Sequence, residues 1–515
     1  MLGYILRRLL FMIPTLVGVT LLIFTLIALS PGGLEASARA ASGGGVQPGV
    51  DPRVADAEFF DRFGLDRPFF VQYLSWLGRM SPIKFGDRAQ IDSTGERLYF
   101  PRPLPQPAYL EWPNSGAAPD RDPTALASGA VAGLAADPPG EARQQQYRRF
   151  RAAYDQARRD YVLARANLRV ALAELARAGD RPDLIDRHGF IEGGANDVPR
   201  TGSGPAYDAA LAAAARQRET WTAAVAAEAK LRWIFDEQPF RYAGFAIIPG
   251  AVSIGAPDLG WSRSRGRPVS RLIAEALPVT LMLNLLAVPI IYMIAIPSGM
   301  LAAARRGSWF DRLSGGFFVA LWSVPVVWAG TLAIGFLASN EYLGWFPPSG
   351  LHSRAAADMP FLPRWGEDGF VRGYLLDGLW HVALPVACLT YAGFAVLSRQ
   401  TRASMLDNFN ADYVRTAKAK GVPRRDVVLR HVFRNSLLPL ITMFVTIFPA
   451  MLSGSVVVEK IFSIPGMGSL MLDAITLRDA EIMLANSVMV GCVMLLALLL
   501  ADMLYAVADP RVTYA

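Results

Sequence analysis

The sequence predicts an all-α polytopic membrane protein with six transmembrane helices, both termini cytoplasmic, and a large external α-helical hairpin inserted between helices 1 and 2. Three observations carry this. The 515 residues are 52% hydrophobic and only 18% charged, with a mean hydropathy of +0.27, too apolar for a soluble chain of this length. Six runs free of charge are each long enough to cross the hydrocarbon layer. The strongly basic short loops between those runs all fall on one side, as the positive-inside bias requires.

The first span follows a short basic start carrying Arg7 and Arg8. Leu9–Ser30 then gives 22 residues without a charge. A secretory signal with Ala36-Ser37-Ala38 as its cleavage site is the competing reading. The run is too long for a signal core, so residues 1–30 read as the N-terminus and an uncleaved first span. Residues 31–276 are expected outside, beginning with an external amphipathic segment over 31–87.

Residues 88–257 form an insert. Glu96–Pro139 is rich in Pro, Gly, Ala and Asp and reads as loop. Residues 141–178 are strongly helical: Tyr147, Tyr154, Tyr161, Leu168 and Leu175 recur every seven residues, with Phe150, Ala157, Ala164, Ala171 and Ala178 as a companion series. That is a heptad seam with small residues on one side. Residues 205–235 give a second Ala-rich helix, with Tyr207, Leu211, Ala214, Trp221 and Val225 along one stripe. An antiparallel helical hairpin follows. It either packs only on itself or also contacts an external solute-binding protein.

Residues 258–276 lead into the second span, 277–304. Arg305, Arg306 and Arg312 place the next loop inside. The third span is 313–340, with Pro325 within it, and the fourth is 378–398. A basic cytoplasmic loop covers 399–436, with nine Lys and Arg residues between Arg399 and Arg434 against Asp407, Asp412 and Asp426. The fifth span is 437–458 and the sixth 482–501; Asp502 reads as solvated at the cytoplasmic edge. Pro14, Pro278, Pro289, Pro297, Pro325, Pro385, Pro439 and Pro449 lie in or beside the spans. Kinks there suit a bundle that changes shape, and they are also ordinary in membrane helices.

The basic loop holds the densest signal, ADYVRTAKAKGVPRRDVVLRHVFRNSLLP over Ala411–Pro439. A short helix over 411–420 ends at a C-cap, Gly421, and Pro423 forbids simple continuation. A second amphipathic helix is expected from about Arg424 to Ser436. Tyr413, Ala417 and Lys420 share a face by spacing. Small side chains at Thr416, Ala417 and Ala419 would admit a partner's surface. A basic loop beside spans also serves as a plain topological anchor, but the ordered string of residues is more specific than charge. It resembles the cytoplasmic loop of permease subunits of binding-protein-dependent ABC importers, in the peptide/nickel (dipeptide/oligopeptide) branch. There Arg415-Thr416-Ala417 stands where the general family has Glu-Ala-Ala, and Gly421 is the motif glycine. The resemblance implies that Tyr413, Arg415, Thr416, Ala417, Lys420 and Gly421 couple the membrane bundle to ATPase subunits.

Other phrases strengthen the resemblance. Gly64-Leu65-Asp66-Arg67-Pro68, Trp345-Phe346-Pro347-Pro348-Ser349-Gly350 and Glu459-Lys460-Ile461-Phe462-Ser463-Ile464-Pro465-Gly466-Met467-Gly468 each look like this branch, as do Arg478-Asp479 and the terminal Asp509-Pro510-Arg511. The Gly-Asp-Leu-Gly-like stretch of the branch begins at Gly86-Asp87 and resumes at Asp258-Leu259-Gly260, with the insert between. Pro465, Gly466 and Gly468 form a rigid turn permitting close backbone approach. The resemblance places that external turn against the translocation path.

No catalytic constellation is present. There is no phosphate-loop motif, so the resemblance assigns ATP and Mg to partner subunits and leaves this chain with no cofactor. His188, His352, His381 and His431 show no metal-ligand spacing. Cys388 and Cys492 lie inside apolar runs and read as packing residues. The net charge of +7 is accounted for by membrane topology, so nucleic acid is not an expected partner. Asn284 and Asn486 are the intramembrane polar groups placed in a pore or a helix contact.

The chain is thus expected to be a transport subunit, not an enzyme, of the bacterial inner membrane. Its expected partners are a second permease, two ATPase subunits, an external solute-binding protein and lipid. The expected cargo is peptides or peptide-like solutes, or a nickel complex in the same branch. An ion-driven transporter is disfavoured because no carboxylate lies in the middle of the six runs. A membrane-anchored scaffold working through the hairpin has no need of the family-like phrases.

Overall fold

The computed structural model describes residues 2–30 and 51–508, apart from 66, 87, 94, 96, 108, 110–111, 114–122, 136–139, 187, 193–196, 199–201, 238, 249–250, 263 and 367–368. Ala36-Ser37-Ala38, Asp87 and the Asp509–Val512 phrase fall outside the described residues. The chain divides into two compact units, residues 1–41 with 259–515, and residues 42–258.

In the first unit, five helices are long and apolar enough to span a membrane: Gly3–Leu29, Val269–Ala304, Gly373–Phe409, Leu437–Ile461 and Ala480–Tyr505. The expected third span is not one straight helix. Trp309–Ser323 and Val326–Ala338 meet at 87°, and the pair makes a sixth span only if counted as one. The uncharged run hides this break. Val324 is extended, as a residue before proline prefers to be, and Pro325 starts a new helix with no amide hydrogen to continue the old one. The helices of the second and fourth spans reach beyond the uncharged runs, to Val269–Ala304 and Gly373–Phe409, because amphipathic turns extend them. The fifth helix is interrupted after Ser453 by Gly454 and resumes at Val456–Ile461.

Glycine brings the helices of this unit into contact. A Cβ on Gly299 would lie 2.5 Å from the Ser398 carbonyl oxygen, and one on Gly393 would lie 2.7 Å from Ile291. Close backbone approach through small residues is how helices associate where lipid offers no hydrophobic drive. The first and last spans are tied at one end: the Tyr4 hydroxyl donates to Asp502 at 2.8 Å, and Arg8 Nε donates to the same oxygen at 2.9 Å. Asp502 is therefore paired, not merely solvated, and Tyr4, Arg8 and Asp502 lie at the same end of the bundle.

The second unit centres on the helices Glu141–Ala178 and Pro205–Asp236. They run antiparallel. Tyr147, near the start of the first, packs on Phe235 at the end of the second, and Leu172 and Leu175 pack with Ala210 and Ala214 at its start. The heptad residues Tyr147, Tyr154, Tyr161, Leu168 and Leu175 are all buried. Ala178, the last of the companion series, is exposed. The stretch read as loop contains a helix, Pro123–Val131, built from an alanine-rich run.

The described part of the amphipathic segment, from residue 51, belongs to this unit together with the insert. Its helix Pro52–Phe63 begins with an Asp51 cap on the Arg53 amide and buries Val54 against Ala166 and Val170. The insert closes on itself at its neck. Strand Ile83–Phe85 pairs antiparallel with Val252–Ile254, with Ile83 opposite Ile254 and Phe85 opposite Val252. The Gly86 amide donates to the Ala251 carbonyl at 2.9 Å, and the Asp258 amide to the Arg79 carbonyl at 2.9 Å.

Candidate functional site

The loop between the fourth and fifth spans starts where the Gly373–Phe409 helix ends. A short helix follows, Asp412–Ala419. Gly421 has φ +75°, its amide donates to the Lys418 carbonyl, and the Val422 amide donates to the Ala417 carbonyl. That left-handed cap is where glycine avoids the Cβ penalty. The return segment is α-helical over Arg424–Asp426 and π-helical over Val427–Phe433, which differs from the single α-helix expected to Ser436.

Ala417 does not share an outward face with Tyr413 and Lys420. It is buried with Val414 against Ala303, Met405, Val427 and Val432, in the chain's own core. Tyr413, Arg415, Thr416, Lys420 and Gly421 are exposed. The short helix has to bury one face somewhere, and the return segment supplies the apolar surface for it. Spacing alone cannot say which side that is. The free surface of this helix is Tyr413, Thr416 and Lys420, with Asp412 and Arg415 beside them. Arg415 lies 3.4 Å from Asp412, an exposed pair of little energetic weight.

Six residues outside the motif fix the loop to the spans. The Tyr413 hydroxyl donates to Asn408 Oδ1 at 2.6 Å, and Asn408 Nδ2 donates to Ser436 Oγ at 3.1 Å. Ser436 and Ser404 exchange hydroxyl-to-carbonyl bonds at 3.1 and 3.2 Å. Arg424 Nη2 reaches the Ala304 carbonyl at 2.7 Å, capping the end of the second span. Asp311 and Arg402 form a two-pronged pair at 2.6 and 2.9 Å. The short helix is thus wired to the ends of three transmembrane helices. The polar residues Ser404, Asn408 and Ser436 near span boundaries were the available signal, and without the tertiary contacts they look like ordinary interface serines and asparagines.

A second cluster lies near Thr280, about 35 Å along the helix from Ala304 at 1.5 Å rise per residue. Here Pro465, Gly466 and Gly468 wrap a buried carboxylate. Glu459 is 1% exposed and accepts from Thr280 Oγ1 at 2.9 Å and from the Ser469 amide at 2.8 Å. Thr280 in turn accepts from the Met467 amide at 2.8 Å. A Cβ on Gly466 would lie 2.5 Å from the Glu459 carboxyl carbon, and one on Gly468 would lie 2.6 Å from the Val456 amide. Gly454 has φ +74° and faces both Gly468 and Glu459. The turn glycines therefore make room for this acid. Asp479 similarly accepts from Ser262 Oγ at 2.7 Å and from Ser264 Oγ at 2.7 Å, fixing the segment that leads into the second span to the start of the last span.

Asn284 is half-buried one turn from Thr280, and its side-chain amide donates to the Thr280 carbonyl at 2.9 Å. Asn486 is buried, and its Oδ1 accepts no hydrogen bond among the described residues. The two are not brought together by any contact described. His352 and His381 do converge, each with Nδ1 3.6 Å from Asp377 Oδ2, although their spacing gave no hint of it. No group of three metal-ligating side chains occurs among the described residues.

The chain belongs to the binding-protein-dependent transport system inner membrane component family, whose model matches residues 295–514. It is 39% identical over 259 residues to the oligopeptide transport system permease protein AppB of Bacillus subtilis (strain 168), covering 50% of this chain and 76% of that protein. It is 34% identical over 271 residues to the dipeptide transport system permease protein DppB of Escherichia coli (strain K12), covering 50% and 77%. It is 33% identical over 291 residues to the inner membrane ABC transporter permease protein YejB of Escherichia coli O157:H7, covering 56% and 76%. The chain is therefore a multi-pass membrane permease component.

Proposed function

We propose that this chain is one of two permease subunits of an ATP-driven importer that moves peptides or peptide-like solutes across the bacterial inner membrane. The observation that carries the proposal is the similarity to oligopeptide and dipeptide permeases over about three quarters of their length. In this reading both termini and the 399–436 loop face the cytoplasm, and residues 42–258 face outward, where a solute-binding protein delivers cargo. Two ATPase subunits bind and hydrolyse Mg–ATP. Their closure pushes on the exposed Tyr413, Arg415, Thr416 and Lys420 face, while the Gly421 cap keeps the short helix rigid. The Asn408–Ser436 contacts carry the displacement into the spans. Pro465, Gly466 and Gly468 hold the outer turn, and Asn284 and Asn486 offer polar groups along the path.

The test is purification of the tagged protein from native membranes in mild detergent, followed by peptide uptake in vesicles rebuilt from what co-purifies. A second permease and Walker-type ATPases, with uptake that requires ATP and the binding protein, are expected. Isolation with no ATPase would overturn the proposal.

A further inference from the structure

A cavity of about 530 Å3 lies wholly within residues 42–258. The Pro52–Phe63 helix and the Glu141–Ala178 helix form two walls, and Asp186, His188 and Phe190 line the third side. Phe60, Leu65, Val162 and Phe190 give it an apolar lining. The volume is in the range of small-molecule sites.

Among the described residues three arginines and three aspartates line this cavity, but they do not all pair with one another. Arg165 and Arg169 lie one helical turn apart and both line it. Like charges at this spacing repel. Burial, and then the neighbouring Arg165, lower the pKa of Arg169. Neither Asp61 nor Asp186 is paired with Arg165. Asp61 takes both prongs of Arg158, at 2.8 and 3.0 Å. Asp186 Oδ1 accepts the His188 and Phe190 amides at 2.8 and 2.9 Å, and its Oδ2 is 3.8 Å from Arg169. Arg53 is held by Asp51 at 2.7 Å. The Arg169 guanidinium also stacks 4.7 Å from the Phe190 ring. Arg165 has no hydrogen bond and no ion pair among the described residues, and its Nε is buried without a partner. A buried N–H donor left without an acceptor is costly unless one arrives.

We propose that this cavity binds a small organic carboxylate bearing an apolar group, with the carboxylate taken by Arg165 and the apolar group packed between Phe60, Val162 and Phe190. The planar guanidinium fork matches a carboxylate. The ligand carries a single negative charge, because Asp56, Asp61 and Asp186 also line the space and repel a dianion. The proposal is independent of the transport assignment: none of its residues belongs to the 412–421 loop or to the Glu459 turn.

The test uses the full-length protein in lipid nanodiscs, with N-acetyl-leucyl-phenylalanine as probe and its C-terminal amide as control, followed by calorimetry. The acid is expected to bind at least tenfold more tightly than the amide. Arg165→Gln should bring the acid to the level of the amide, and Arg165→Lys should recover part of the difference. Hydrogen exchange of the 155–175 amides should be unchanged in Arg165→Gln, since a repulsion is removed and no bond is lost. In the unsubstituted protein the acid should also slow exchange at residues 57–61 and at Phe190. Equal binding of acid and amide, or no protection at those residues, would overturn the proposal. So would full acid binding retained by Arg165→Gln.

Discussion

The two units solve the same packing problem with opposite means. In the membrane unit, helices meet where a side chain is missing: Gly299 against Ser398, Gly393 against Ile291, Gly454 and Gly468 around Glu459. Large apolar side chains such as Leu6, Phe11, Leu285, Met293, Phe317 and Trp328 point outward. In the 42–258 unit the large side chains point inward: Trp112, Tyr154, Tyr161, Leu168 and Leu231 are fully buried, and alanines make the facing surface. The difference teaches what each unit is solvated by. Water drives tyrosine and leucine into a heptad seam. A hydrocarbon layer supplies no such drive, so close backbone packing and buried polar contacts do the work.

The sharpest way to break this comparison is to add a side chain where the membrane unit has none. Gly468→Val places atoms within 2.6 Å of the Val456 backbone and beside the Glu459 cage. Complete loss of transport is expected, with the protein still present in membranes; uptake above one tenth of the normal rate would show the cage is dispensable. The corresponding change in the other unit removes a side chain. Tyr161→Ala should destabilise the hairpin by about 3–5 kcal/mol, the usual cost of deleting a buried aromatic. Hydrogen exchange over 154–175 measures it, and amides of the Val269–Ala304 helix should be unaffected if the units are energetically separate.

A smaller effect concerns charge at the neck of the insert. Lys84 donates to the Gly78 carbonyl at 2.8 Å, and its pKa is pushed down to about 8, first by burial and then by Arg97. The folded value lies below the ordinary 10.5, so the unfolded chain holds the proton more tightly. Stability of this unit should therefore rise with pH between about 8 and 10 and be flat below 8. Lys84→Met should remove the rise. A slope that survives the substitution would assign it to another group.

The sequence made some of this legible and hid the rest for definable reasons. Tyr147, Tyr154, Tyr161, Leu168 and Leu175 announce the hairpin because periodicity is local. Gly421 announces its cap because a glycine followed by Val-Pro has few other uses. Spacing puts Ala417 on the wrong surface because its neighbours, Met405 and Val427, come from different helices. The cage around Glu459 was invisible because its partner Thr280 lies in another span, while the glycine phrase by itself shows only a turn. The 87° bend at Pro325 was concealed by an uninterrupted apolar run, although the proline was in plain view. Packing direction is a tertiary fact, and spacing fixes only which residues share a face.

The most direct test of the central claim is a crosslink from each side of the Asp412–Ala419 helix, in complexes formed in native membranes. Thr416→Cys and Ala417→Cys are compared over a background of Cys388, which is buried, and Cys492, which is half-buried. The account predicts that Thr416→Cys joins this chain to a Walker-type ATPase subunit and that Ala417→Cys does not. Crosslinking through Ala417→Cys, or none through Thr416→Cys and none through a companion Lys420→Cys, would contradict it.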